Sequence, residues 1–114
     1  MDAAHPPYPS GLRLTGRRVV MVGAGGTLAE IYKDYALRIA PVSEAEAAQM
    51  IAEVRGLAII RGYRNLPPGD VAALARAVAA FSRLASLPGQ PIVEAEINPL
   101  LVKREGVVAV DGLV

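Results

Sequence analysis

Four side chains near the C-terminal end of this chain carry the chemistry that its residue types and spacing allow. In the run Val93-Glu94-Ala95-Glu96-Ile97-Asn98-Pro99, apolar and polar residues alternate. A strand sends alternate side chains to opposite faces, so Glu94, Glu96 and Asn98 share one face while Val93, Ala95 and Ile97 share the other. Two carboxylates and an amide on one short face concentrate oxygen ligands and negative charge. Downstream, Lys103-Arg104-Glu105-Gly106 reads as a turn and Val107–Asp111 as a returning strand. If Val102 pairs with Val107, counting back along both strands sets Asn98 opposite Asp111. Cross-strand neighbours hold their Cβ atoms about 4.5–5.5 Å apart, a span over which two side-chain oxygens can share one hard cation. Magnesium prefers such ligands and takes one or two from protein, leaving the rest to water and phosphate. Glu96, two residues back on the same face, is placed to hold a metal-bound water or to act beside a phosphate. The alternative is an ordinary hairpin with a wet polar face, and a bulge at Pro99 would spoil the register.

Composition narrows what this corner can serve. A length of 114 residues allows one domain, and 53% hydrophobic content allows that domain a core. A net charge of +1 and 4% aromatic residues offer none of the basic, aromatic-studded surface expected of a nucleic-acid binder. There is no cysteine, which excludes disulfides and thiolate metal sites and is compatible with the cytoplasm. No apolar run approaches the length of a membrane span, and no secretory signal is visible.

The elements that must position the corner are marked by their punctuation. Residues 1–17, with Pro6, Pro7 and Pro9 around Tyr8, read as an irregular proline-rich leader holding the idle His5. A domain is expected over 18–114. Arg18–Val22 reads as a buried strand ending at Gly23, with further strands over Thr27–Tyr32 and Tyr35–Ile39. Ser43 and Glu46 have the spacing of a capping box, Ala47, Met50, Ile51 and Val54 repeat at helical spacing, and Gly56 is placed to stop the helix. Arg61–Gly69 reads as a loop. Asp70 then caps a second helix whose buried stripe is Val71, Leu74, Val78, Phe81 and Leu84, ended by Pro88-Gly89. Ile92–Asn98 is a strand, interrupted at Pro99 and resumed at Leu100–Val102. The order predicts an α/β (α+β) fold, with two helices packed on a mixed or antiparallel sheet and a C-terminal hairpin.

Two blocks carry a family resemblance. Glu96-Ile97-Asn98-Pro99-Leu100 followed by Val107-Val108-Ala109-Val110-Asp111-Gly112 resembles the magnesium-binding hairpin of ATP-grasp acyl-CoA ligases, and succinyl-CoA synthetase β chains carry a similar Glu-Ile-Asn-Pro-Leu and later Asp-Gly. Val20-Met21-Val22-Gly23-Ala24-Gly25-Gly26, Glu30-Ile31-Tyr32-Lys33-Asp34 and Leu37-Arg38-Ile39-Ala40-Pro41 look like the stretch that opens the second ATP-grasp lobe of the ADP-forming acetyl-CoA synthetases; bacterial acyl-CoA synthetase-like protein acetyltransferases are similar there. The resemblance implies a C-terminal ATP-grasp lobe, Mg2+ and ATP or ADP as cofactors, Asn98 and Asp111 as metal ligands, Glu96 in the catalytic neighbourhood, and Gly25, Gly26, Glu30 and Arg38 on the nucleotide's phosphate side. For Glu30 and Arg38 the alternative is a strand-face salt bridge.

The glycine stretch also mimics the start of a dinucleotide-binding fingerprint, but Leu28 stands where a third small residue is required, and Pro41 arrives before a helix can form. The phosphate-gripping lysine, the adenine-reading hinge, the histidine-bearing segment and the CoA-binding domains of such synthetases have no counterpart in these blocks. The resemblance therefore implies a partial module of an acid–CoA ligase that needs the missing lobe and a CoA-binding subunit, or a homo-oligomer. The other class is a non-catalytic interaction or dimerisation module derived from that lobe. Neither nucleic acid nor membrane is an expected partner.

Overall fold

Alternation of Leu12 and Leu14 with Arg13 and Thr15 has the period of a strand with one apolar face. The computed structural model, which describes residues 8–15, 18–24, 33–62, 65–89 and 92–114, forms that strand as β1, Tyr8–Thr15. β2 is Val19–Gly23, β3 is Tyr35–Ile39, β4 is Glu94–Val102, β5 is Val107–Ala109 and β6 is Gly112–Leu113. All pair antiparallel in the order β3-β2-β1-β4-β5, with β6 also on β4. The strand expected over Thr27–Tyr32 lies outside the described residues.

β1 corrects the expectation of an irregular segment through residue 17. It sits between β2 and β4, and Leu12 and Leu14 are buried. The prolines around Tyr8 carry the expectation of a loop. β2 pairs only with Gly11–Thr15, however, so Tyr8, Pro9 and Ser10 pair with β4 alone in the described ladder. The missing N–H of Pro9 falls where β1 has one strand neighbour, the position at which a sheet tolerates proline.

Helices α1, Glu44–Glu53, and α2, Val71–Ser82, cover one face of the sheet and pack on each other. Ser43 Oγ accepts the Glu46 N–H at 3.1 Å, and Asp70 Oδ1 accepts the Ala73 N–H at 2.9 Å, so both expected caps form. The end of α1 differs from expectation. Val54, in extended conformation, closes the helix, and a 3-10 helix over Arg55–Arg61 follows, burying Leu57 and Ile60. Gly56 is not a cap: a Cβ there would stand 2.8 Å from the Ala24 Cβ, so the glycine permits a close backbone approach instead. The core lies between Leu12, Leu14, Val20 and Val22 of the sheet and Met50, Ile51, Leu74 and Val78 of the helices. Two buried serines are satisfied within it. Ser10 Oγ donates to the Leu100 carbonyl at 3.1 Å, and Ser82 Oγ donates to the Ala79 carbonyl while accepting the Val42 N–H. No helix among the described residues is long and apolar enough to cross a membrane.

One face of the sheet is therefore covered and the other open. Leu14 is 0% exposed on the covered side, and Leu37 is 48% exposed on the open one. Leu14→Ala is expected to cost about 3 kcal/mol in chemical denaturation, whereas Leu37→Ala should stay within about 0.5 kcal/mol of the parent.

Candidate functional site

The site begins with a change of phase along β4. Ala95 is buried and Ile97 packs against the core, so odd-numbered residues face the helices; beyond Pro99 it is the even-numbered Leu100 and Val102 that are buried. The register with β1 shows the cause. Ser10 pairs with Leu100 and Leu12 with Ile97, leaving Asn98 and Pro99 together opposite Gly11. This two-against-one arrangement is a β-bulge, and it lets one strand present apolar side chains to the core at both ends. Pro99, expected to interrupt the strand, is instead accommodated within it, because its missing N–H falls where the β1 ladder already breaks.

On the other side of β4 the count is undisturbed. Val102 pairs with Val107 and Leu100 with Ala109; past the bulge, Ile97 pairs with Gly112 and Glu96 with Leu113. Asn98 and Asp111 are therefore opposite one another, and the Asn98 N–H donates to the Asp111 carbonyl at 3.0 Å. The neighbouring bond runs from the Val110 N–H to the Pro99 carbonyl at 3.1 Å. The bulge expected to endanger this register lies on the β1 side and leaves the hairpin intact.

Alternation places Glu94, Glu96 and Asn98 on the open face. Asn98 and Asp111 are exposed and Glu96 is half-buried. Glu94, Ala95, Glu96, Leu113 and Val114 line an open depression of about 250 Å³. Arg13 stands opposite Glu96 on β1, and its Nη2 donates to Glu94 Oε1 at 2.6 Å. Among the described residues no group of three His, Cys, Asp or Glu side chains converges on one point. One amide on β4 and one carboxylate on the link between β5 and β6 are the donor types a hard divalent cation takes when it completes its shell with water and phosphate oxygens.

Arg38 is not brought to this corner. It lies on β3, the outermost strand among the described residues and three strands from β4, about 14 Å at the usual strand spacing. It also faces the helices. Its guanidinium binds the Glu53 carboxylate closely and lies 3.9 Å from Glu46, both on α1. The hydrogen bond it donates to the Glu53 carboxylate raises the Arg38 pKa further, with charge attraction from Glu53 and Glu46 acting the same way against desolvation. The side chain ties β3 to α1, so the salt bridge that stands as its alternative role forms with helix residues. Gly25, Gly26 and Glu30 lie outside the described residues.

Three residues have long-range polar roles that their local sequence does not signal. Arg13 fell in the supposed leader. Asp34, named only within a block of family resemblance, accepts the Arg55 and Gly56 N–H groups at 2.8 Å each through its two oxygens, capping the 3-10 helix. Asp70 was read as a helix cap only. Its second oxygen accepts the Gly106 N–H at 2.7 Å, and its own N–H donates to the Lys103 carbonyl at 2.7 Å, joining α2 to the hairpin turn. Asx caps are signalled by local sequence, but a second acceptor contact 36 residues away is not.

Comparison with known proteins places these features in context. A family model described as an ATP-grasp domain matches residues 17–114. The chain is 38% identical over 93 residues to an ADP-forming acetate–CoA ligase I of Archaeoglobus fulgidus, covering 82% of this chain and 13% of that protein. It is 37% identical over 95 residues to the beta subunit of an ADP-forming acetate–CoA ligase II of Pyrococcus furiosus, covering 82% of this chain and 40% of the subunit. The chain thus spans well under half the length of these relatives. Among solved structures, an acetyl-coenzyme A synthetase 1 of Ca. Korarchaeum cryptofilum, in complex with coenzyme A and Mg-AMPPCP, superposes with a TM-score of 0.85 at 29% identity, covering 95% of this chain and 52% of that one.

The Asp70 bridge has a measurable signature. Hydrogen bonds from the Gly106 and then the Ala73 N–H hold its carboxyl below the ordinary value of 3.8, with Arg76 adding a favourable charge. Its stabilisation is therefore complete above the unfolded-state value and disappears as pH falls through the folded one. The Tm difference between the parent and Asp70→Asn should narrow as pH is lowered from about 6 to about 2; a constant gap would show that the carboxylate charge contributes nothing.

Proposed function

The chain belongs to the ATP-grasp domain family, and from that membership we propose that it supplies the magnesium-and-phosphate side of a nucleotide site in an ADP-forming acyl-CoA synthetase. The observation that carries this reading is the registered pair Asn98–Asp111, an amide and a carboxylate held opposite each other at the open face. The overall conversion is acyl-CoA, phosphate and ADP to acid, CoA and ATP, or its reverse. Mg2+, when bound, neutralises the phosphate charge that would otherwise repel an incoming nucleophile.

The roles of the residues follow from their positions. Asn98 and Asp111 offer the two protein oxygens that hold the metal. Glu96, on the same face and lining the depression beside them, acts on the group next to the transferred phosphate. Arg13 binds Glu94 and stands across from Glu96, balancing the negative charge of that face. Gly25, Gly26 and Glu30 are assigned to the phosphate side by the family resemblance. The rest of the nucleotide site and the CoA-binding part come from further domains or subunits, in keeping with relatives that are longer than this chain. A second reading, a non-catalytic binding module built on the same lobe, is favoured by the exposure of Leu37 and Ile39 on the uncovered sheet face.

One assay separates the two. The full chain is combined with polypeptide supplying the remaining ATP-grasp lobe and the CoA-binding domains, and acyl-CoA-dependent ATP formation is measured. Asn98→Ala and Asp111→Ala should each lower the rate by about 100-fold, while the chain alone gives little heat with Mg-ATP in calorimetry. A rate that survives both substitutions, or tight stoichiometric binding by the chain alone, would overturn the first reading.

A further inference from the structure

The hairpin that carries Asp111 has little of its own to fix it. β5 spans only Val107–Ala109, with Val108 and Ala109 exposed, and β6 is Gly112–Leu113, both of its residues exposed. Residues opposed across an antiparallel pair are set by register alone, and a slip of one residue turns every side chain to the other face. Something outside the two short strands must hold the count that places Asp111 opposite Asn98.

Asp70 is so placed. It precedes α2, itself packed on β1, β4 and β5. Its Oδ1 caps the helix through the Ala73 N–H, its Oδ2 accepts the Gly106 N–H, and its backbone N–H donates to the Lys103 carbonyl. Lys103 and Gly106 are the two ends of the turn, joined by a 3.0 Å bond from the Lys103 N–H to the Gly106 carbonyl, and Gly106 has φ +81. The turn is thus gripped at both ends by one residue on a rigid helix start. We propose that Asp70 is a positioning residue, whose bridge from α2 to the Lys103–Gly106 turn sets the hairpin register that brings Asp111 opposite Asn98. The consequence for metal binding rests on the proposed function; the register itself does not.

The two oxygens do different work, and this makes the role separable from simple helix capping. In Asp70→Asn the amide oxygen still accepts from the Ala73 N–H, but the NH2 group meets the Gly106 N–H as a second donor. In Asp70→Ser the hydroxyl still caps but is too short to reach the turn. Ser43→Ala removes the other helix cap and leaves the hairpin alone.

Amide hydrogen exchange by NMR on the full chain reads the register directly. In both Asp70 variants the Asn98 and Val110 N–H groups should exchange at least about tenfold faster than in the parent, while the Ala73 and Leu74 N–H groups keep their protection; Ser43→Ala should not single out the hairpin. If Asp70→Asn does not fold, Asp70→Ser decides. Unchanged protection at Asn98 and Val110, or uniform loss throughout the chain as in Ser43→Ala, would overturn the proposal. A parallel titration with Mn2+ and ATP together follows paramagnetic broadening at Asn98 and Asp111, which registers weak binding. Broadening in the parent that is lost in the Asp70 variants supports the positioning role, and broadening that persists in them counts against it. Absence of broadening in the parent would count against the metal-site reading, and hydrogen exchange would then decide the register proposal.

Discussion

Strand β4 satisfies two neighbours that require different things of it. Toward the helices it must bury Ala95 at one end and Leu100 and Val102 at the other; toward solvent it must keep Glu94, Glu96 and Asn98. A regular strand has one phase and cannot do both. Holding the phase of the first half would expose Leu100 and Val102, forfeiting roughly 1.5–3 kcal/mol for each side chain. Holding the phase of the second would drive Glu96 under the helices, at a desolvation cost of several kcal/mol for an ionised carboxylate. The extra residue at Asn98-Pro99 opposite Gly11 resolves the conflict, and both the core and the polar corner depend on it.

The bulge is tolerated because it is confined to one side. Toward β1 the ladder breaks; toward the hairpin the pairing count runs unbroken from Val102–Val107 to Glu96–Leu113. Asn98 therefore sits where the strand is locally irregular toward one neighbour and in register toward the other. Bulges re-aim side chains, and this one does so at a residue whose partner is set from outside the ladder, through the α2 start and the turn. The chain of support runs from Asp70 to Gly106, from Gly106 along the short β5, and so to Asp111.

How much of this the sequence discloses depends on how local the physics is. The caps at Ser43 and Asp70 involve partners three residues on, and both are visible in residue types alone. Counting from a short turn recovers the pairing of the hairpin, but the contact that holds the turn in place, from Asp70, is not visible in the turn's own residues. β1 was hidden because the rule that proline disfavours strands assumes neighbours on both sides, and which part of β1 lacks a second neighbour is a property of the sheet. Gly56 looked like a helix stop, but its absent side chain serves contact with Ala24 and Asp34. Arg38 was assigned by block similarity, which does not say on which face a strand residue points; pairing with Glu46 and Glu53 requires knowing where α1 lies. The surface roles of Arg13 and Asp34 likewise depend on partners 81 and 21 residues away.

The geometry of the corner constrains what it can select. Only two protein oxygens are offered, both from exposed residues, with no third acidic or histidine ligand converging among the described residues. Such a site gives a bare divalent cation little reason to leave water, since magnesium surrenders its hydration reluctantly. The balance changes when phosphate oxygens arrive with the cation. The remaining ligands then come with the nucleotide, and the charge of Asp111 acts on a metal whose shell is already partly assembled. On the proposed reading the corner recognises a metal–nucleotide complex rather than either component. An exposed pair on a short hairpin suffices for that role, provided its register is held, because the affinity lies chiefly in what the nucleotide and the rest of its site supply.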